Sequence, residues 1–478
     1  MMQKINRRQF AKGTIAAMAT ITLSGTKSSG QVRGANDAIR IAVAGLTGRG
    51  SAHVGAYVAM PNVRITHLVD PDSRSFARRL TQIQGPAPAT IADIRRALEG
   101  NNVDAISIAT PNHWHALMTI WAAQAGKHVY VEKPSSHNIH EGRITVDVAR
   151  RHNVIVQHGT QSRSDAAYTN TVAAIQSGRY GRLLVSRAMC YKLRNTIGTR
   201  PNADAPAEID FNLWLGPAQR TPFHTNLVHY NWHWFWAFGN GDIGNQGVHQ
   251  MDIARWAIRG ATLPTSVVSV GGRFGYVDQG QSANSQVTMM EFGDTKLIFE
   301  VRGLRSDGYR GQGVGNVFHL EQGVISGHRF FPNGGNASEA IPAMNVAARP
   351  GGSNHFANFI AAVRSGRTAD LNANIEEGHY SSALCHLANI SYQLGTEVAF
   401  RPRHARTTEN RDMLESVERM EAHLSGAPHN LKLDGLRLRV GPKLMVQART
   451  ENFNGNAEAN RLLTRQYREG FVVPDRVG

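Results

Sequence analysis

The chain has 478 residues, long enough for two domains with cores of their own, and 41% hydrophobic content with 47 glycines is the composition of a soluble globular protein. Net charge is +16, from 52 Lys and Arg against 36 Asp and Glu, but the basic residues are scattered and no helix-turn-helix, zinc-finger or aromatic RNA-binding signature accompanies them, so nucleic acid is not an expected partner. The two cysteines, Cys190 and Cys385, form no metal-spaced pair and read as core thiols, and no metal site is expected.

The first segment, 1–37, carries Asn6-Arg7-Arg8-Gln9-Phe10-Ala11-Lys12 ahead of a short, mildly apolar stretch. A twin arginine in that setting resembles a Tat export signal, and the stretch is too short for a membrane anchor. The expectation is an exported, periplasmic protein with no anchor in its mature form.

Residues 38–160 alternate buried-strand runs with helical patterns, which predicts a doubly wound, dinucleotide-binding Rossmann domain. The run 39–44 leads straight into Gly45-Leu46-Thr47-Gly48-Arg49-Gly50, and a helix begins near Ala52. Strand, glycine turn and helix together make a phosphate cradle, because the helix start offers free backbone N–H groups. Gly45, Thr47, Gly48, Arg49 and Gly50 are therefore cofactor-contact candidates; Thr47 stands where the usual fingerprint has its second glycine. The second strand, 63–69, ends in Asp70, a carboxylate placed to accept from ribose hydroxyls and to repel a 2′-phosphate, which favours NAD over NADP despite nearby Arg74. The strand 103–109 ends at Thr110-Pro111-Asn112-His113-Trp114-His115. The next, Val129-Tyr130-Val131, stops on Glu132-Lys133-Pro134, so Lys133 stands at the carboxyl end of a buried strand, where ligands of parallel sheets bind.

Residues 161–400 read as a second, α+β domain with an open, largely antiparallel sheet, whose free face suits subunit contact in a homo-oligomer. Between its strands lies Tyr230-Asn231-Trp232-His233-Trp234-Phe235-Trp236, and Trp232 and Trp234 are candidates for contact with the faces of a sugar. A glycine-rich turn, Gly239 to Gly244, follows and contains Asp242. Asn245, His249 and Asp252 are spaced to share one helix face. The basic segment 401–478 carries no assignable pattern.

The glycine turn, Glu132-Lys133-Pro134 and the stretch from Gly239 to Asp252, in that order, resemble the Gfo/Idh/MocA family, named for glucose-fructose oxidoreductase and inositol dehydrogenase; the likeness spans about residues 38–400. The resemblance implies an NAD-dependent sugar or polyol oxidoreductase. It places Thr110, Pro111, Asn112 and His115 beside the nicotinamide ribose, with Glu132 and Lys133 at the same edge. It makes Lys133 and His249 the catalytic pair, with His249 a general base near its ordinary pKa, and gives Asn245 to the catalytic centre and to the substrate. The family has an aspartate where this chain has Asn245. Arg163 and Asp242 complete the expected substrate contacts. Free nicotinamide nucleotide is not expected outside the cytoplasm, so the cofactor should stay tightly bound. A redox-neutral glycoside-cleaving enzyme and a non-catalytic sugar sensor are the alternatives on this scaffold.

Overall fold

The computed structural model of the protein describes residues 38–335, 337–400 and 410–477, so the twin-arginine leader lies outside the described residues. Near-continuous apolar runs form a parallel sheet buried on both faces, as such runs must. Its strands are β1 (Ile39–Ala44), β2 (Val63–Val69), β3 (Ala89–Ile91), β4 (Ala105–Ile108), β5 (His128–Val131) and β6 (Val156–His158). They lie in the order β3-β2-β1-β4-β5-β6, every pair parallel. The order reverses between β1 and β4, and the crevice beyond the carboxyl ends of those two strands is where a doubly wound sheet takes its ligand. Helices α1 (Arg49–Val58), α2 (Asn112–Gln124) and α3 (Ile139–Arg151) follow β1, β4 and β5. Helix α3 is started by Asn138, whose side chain accepts from Glu141 N at 2.9 Å, while Glu141 accepts from His137 N at 2.8 Å.

The second sheet has 12 strands among the described residues. Its centre is β7 (Leu183–Tyr191), β8 (Ser266–Gly272), β9 (Ser285–Phe292) and β10 (Thr295–Arg302), flanked by β11 (Val314–Leu320). β7 and β10 pair in parallel and the neighbouring pairs are antiparallel. Alternation divides the side chains between two faces. Ala188, Cys190, Leu297, Phe299 and Val301 pack with helices α5 (Gly247–Ala257) and α7 (Ile375–Gln393), through Met251, Leu384 and Leu387 among others. Helix α4 (Ala166–Gln176) leads into this domain, and α6 (His355–Ser365) packs back onto the first domain through Phe356, Phe359 and Ile360.

The other face of the sheet is not free as the sequence suggests. The sheet does not close into a barrel, but Val268, Val270, Val287, Met289 and Ile298 lie beneath Met413, Val417, Met420 and Leu424 of helix α8 (Arg411–Ser425). Buried Glu300 fixes the two together: it accepts from Tyr191 Oη at 2.6 Å and pairs with Arg187 and with Arg419 of α8. This cover removes the middle strands from the expected subunit contact. The C-terminal segment goes on to place Arg437–Val440 between β8 and Thr396–Ala399, and then returns to the first domain, where Phe471 and Val473 join its core.

Candidate active site

A cleft of about 360 Å³ opens at the carboxyl edge of the parallel sheet, with the second domain as its opposite wall. Gly45 closes the turn after β1 at φ 80°, and a Cβ there would come within 2.6 Å of the Ala109 carbonyl. Gly48 has open space where a Cβ would stand, and Thr47, Gly48 and Arg49 line the cleft at the start of α1. Gly50 does not line it. A Cβ on Gly50 would strike Gly45 O, so this glycine lets the helix sit against the turn rather than touching a ligand. Asp70 lines the cleft at the end of β2, accepting from Leu46 N at 2.9 Å and Asp72 N at 3.0 Å. Burial pushes its carboxyl up, against those two hydrogen bonds. Each oxygen keeps a lone pair for a ribose hydroxyl. Arg74 is committed to Asp72 through two contacts, at 2.8 and 2.6 Å.

Thr110, Pro111, Asn112 and His115 line the cleft beside β4. Thr110 Oγ1 and Asn112 Nδ2 are buried with no hydrogen-bond partner among the described residues. Two orphaned polar atoms at this edge fit a dinucleotide, which supplies ribose hydroxyls and an amide there. The His115 ring is not free for a cofactor, because Nδ1 lies 2.6 Å from Pro134 O and Nε2 2.7 Å from Thr110 O. Both contacts are hydrogen bonds only in the imidazolium form, which burial of the ring disfavours. Its role is to tie the Thr110 loop to the Pro134 turn.

Glu132 is buried and accepts from Arg49 Nε at 3.0 Å and Gln161 Nε2 at 2.8 Å, with His53 Nε2 at 3.2 Å. Burial would raise its carboxyl, but the His53 hydrogen bond and the charges of Lys133 and Arg49 hold it well below the usual carboxylate range. Glu132 is thus a fixed anion under the cleft. Lys133 extends across and donates to the backbone oxygen of Asn245 at 2.6 Å, joining the two domains. Burial lowers its pKa, against the attraction of Glu132.

Asn245, Gln246 and His249 face Lys133 from the second domain. The Asn245 side chain donates to Tyr230 Oη at 3.0 Å, so it orients that phenol as well as bordering the cleft. The His249 ring makes no hydrogen bond among the described residues. Burial, then the Lys133 charge, pushes it down to about 3, not the ordinary value that sequence reasoning assigns it. The ring is neutral, with a free lone pair.

Three expected substrate contacts lie elsewhere. Arg163 is buried in an ion pair with Asp252 at 2.8 Å and a second with Glu377 at 3.0 Å. Asn245 does not share one helix face with His249 and Asp252 as the spacing suggests: it ends a short helix, Gly241–Asn245, and the break at Gln246 leaves only the other two on α5. Asp242 is gripped by Arg194 at 2.6 and 2.8 Å. Trp234 is 2% exposed in an aromatic core, with the Arg273 guanidinium 4.5 Å from its ring. Trp232 does line the cleft, its Nε1 donating to His229 O at 2.9 Å. Sequence reasoning missed Tyr230, 50% exposed at the mouth, and His229, whose Nε2 lies 2.9 Å from Asp72. Tyr230 opens the aromatic run, and its phenol, beside indoles that can only donate, was the available signal.

Residues 39–160 match the Gfo/Idh/MocA oxidoreductase family's NAD-binding Rossmann fold, and 185–291 match that family's C-terminal alpha/beta domain. Over 355 residues the chain is 24% identical to a scyllo-inositol 2-dehydrogenase (NAD(+)) of Bacillus subtilis, covering 71% of this chain and 92% of that one. It is 27% identical over 185 residues to a glycosyl hydrolase family 109 protein of Saccharopolyspora erythraea, covering 37% of this chain and 40% of that relative, so less than half of the latter is spanned. In fold it is similar to the WlbA dehydrogenase of Bordetella pertussis, solved with NADH and UDP-GlcNAcA, with a TM-score of 0.54 and 19% identity over 73% of this chain and 95% of that one.

Proposed function

We propose, from the match of residues 39–160 and 185–291 to the two domains of the Gfo/Idh/MocA oxidoreductase family, that the protein is an NAD-dependent oxidoreductase that takes hydride from a hydroxyl-bearing carbon of a sugar or polyol. The observation that carries this reading is the convergence of Lys133 and an unpartnered, neutral His249 on one cleft whose floor is the glycine turn and Asp70. The bound nicotinamide would accept the hydride. The protein's own part is to hold and polarise the hydroxyl. Lys133 donates to its oxygen and stabilises the negative charge that develops as hydride leaves. His249, whose lone pair is unspent beside Lys133, is the group placed to take the hydroxyl proton. Tyr230, oriented by Asn245, and Trp232 border the space left for the rest of the substrate. Engagement of Arg74 with Asp72 leaves Asp70 to set the preference for NAD.

Absorbance of the purified protein, with and without sugars and inositols, tests this. Growth of the reduced-nicotinamide band on adding substrate is expected, and a spectrum unchanged by every polyol tried would sink the reading. It would also promote the sensor alternative, against which the free His249 lone pair argues.

One observation favours a second, redox-neutral reading: the relatives of this chain include several glycosyl hydrolase family 109 proteins. Here the same pair would polarise and deprotonate a ring hydroxyl while the bound nicotinamide takes its carbon's hydride, and the resulting ketone acidifies the adjacent C–H. Loss of that proton expels the glycosidic oxygen as an alcohol, water adds across the resulting double bond, and the hydride returns to the ketone. Alcohol release with no net change in bound nicotinamide distinguishes this cycle from oxidation.

The twin arginine supports export with the cofactor already in place. Arg7→Lys with Arg8→Lys should retain the protein in the cytoplasm; export at the normal level would remove this part of the proposal.

A further inference from the structure

A second cavity, of about 410 Å³, shares no lining residue with the cleft. Five segments meet around it: the turn before α3 with His137 and Asn138, the loop at Gln219, the loop from Trp236 to Asn240, the end of α7, and the returning C-terminal chain at 462–466. The segment that sequence reasoning left unassigned therefore builds one of its walls.

Its polar groups are buried and unspent. Asn240 is 6% exposed; its amide donates to His137 O at 3.0 Å and lies 3.4 Å from His386 Nδ1, while Oδ1 has no partner among the described residues. His137 is 9% exposed, and burial holds it well below its ordinary pKa against a contact with the Trp236 backbone; the neutral ring spends its donor there and keeps one acceptor with no partner among the described residues. Arg465 donates from one nitrogen to Ala237 O at 2.8 Å and turns Nε toward Glu141, while the other terminal nitrogen has no hydrogen-bond partner among the described residues. Its charge is offset by buried Glu141, 3.6 Å away. Half-buried Trp236 supplies an aromatic surface.

We infer that this cavity is a second ligand site, separate from the catalytic cleft, that takes a neutral polyhydroxylated molecule of the carbohydrate or cyclitol class. The inventory of unspent groups selects that class. An anion only accepts, so it would satisfy Arg465 but leave Asn240 Oδ1 and the His137 acceptor unpaired, with Glu141 close by. A cation would meet Arg465. An apolar ligand would leave every one of these groups unsatisfied. Hydroxyls both donate and accept, and the C–H face of a ring suits the indole of Trp236. The volume lies in the range of small-molecule pockets.

The test is titration calorimetry on the full protein as purified, with D-glucose, N-acetyl-D-glucosamine, myo-inositol and inorganic phosphate as separate probes. At least one of the three polyols should show a binding event that Arg465→Met and Trp236→Ala each weaken by about tenfold, the loss of one hydrogen bond to a charged group or of an aromatic face. Reduction of bound nicotinamide by substrate should be unchanged in both variants, since neither residue lines the cleft. If Arg465→Met does not fold, Trp236→Ala, altered at a partly exposed position, carries the test. The inference is overturned if no polyol binds outside the cleft and the cavity holds only water, if every binding event survives both substitutions, or if phosphate binds here in preference to the polyols.

Discussion

Lys133 and His249 reach one cleft from different domains, so the chemistry depends on a geometry neither domain holds by itself. Lys133 is fixed at its base by the Glu132 anion and at its tip by the Asn245 carbonyl. Lys133→Ala and His249→Ala should each slow single-turnover reduction of bound nicotinamide, loss of a general base costing about 10²- to 10⁴-fold, while leaving cofactor content intact. The double variant should lose much less than the product of the single losses, because the two act on one oxygen. Near-normal reduction in both single variants would show that the cleft's chemistry lies elsewhere. With His249 pushed down to about 3, the acid limb of this reaction should fall well below pH 6.5; a half-loss near 6.5 would mean the ring is not held neutral. At this scale the sequence was legible wherever a residue ended a buried strand, as Asp70 and Lys133 do. It was not legible for Arg163 or Asp242, whose charged partners Asp252 and Arg194 lie 89 and 48 positions away. A side chain's partner across such separations decides whether it faces ligand or core, and residue type does not reveal it.

Helix α8 shows the same limit for a whole element. Met413, Val417, Met420 and Leu424 recur at helical spacing, yet the basic, polar residues around them left 401–478 without an assigned pattern, and nothing local says which surface the helix covers. The central strands of the first domain, β1, β4 and β5, were easier to read, since burial on both faces makes each a near-continuous apolar run, whereas the exposed edge strand β3 was not read. The apolar stripe of α8 and the inward residues of β8, β9 and β10 are complementary halves of one core. Met420 is 1% exposed within it. Met420→Asp should therefore both destabilise and uncover: truncating a buried Met costs about 2–5 kcal/mol, and an unpaired buried carboxylate adds to that. The expected readouts are a lower melting temperature and, from the bared sheet face, association on light scattering at temperatures where the parent stays dispersed. A Met420→Asp protein that melts and scatters like the parent would mean that α8 rests on the sheet without contributing to its cover.

Across the whole molecule, the buried histidines give stability a pH dependence that the surface charge does not. His113, His158 and His386 are held down to about 3, and His128 and His355 to about 4, in each case first by burial. Each is neutral in the folded protein at any pH near neutrality, whereas in the unfolded chain its pKa returns to about 6.5. The unfolded state therefore binds more protons as pH falls below 6.5. The associated stability is fully present above that value and is lost progressively toward the folded pKa values of about 3 to 4. At pH 5 the loss is about 2 kcal/mol for each such ring, and several together rival the whole stability of an ordinary domain. Carboxylates act lower: Glu451, which burial would raise but His379 and Arg143 hold down to about 2, loses its contribution only as pH drops from 4.5 toward 2. The two groups of residues thus predict different windows. Melting temperature should be flat above about pH 7 and fall steeply between 6.5 and 5, before the carboxylates titrate. Thermal melts in buffers of matched ionic strength across that range make the measurement, and a flat profile down to pH 5 would mean that these rings are reached by solvent and already titrate in the folded state.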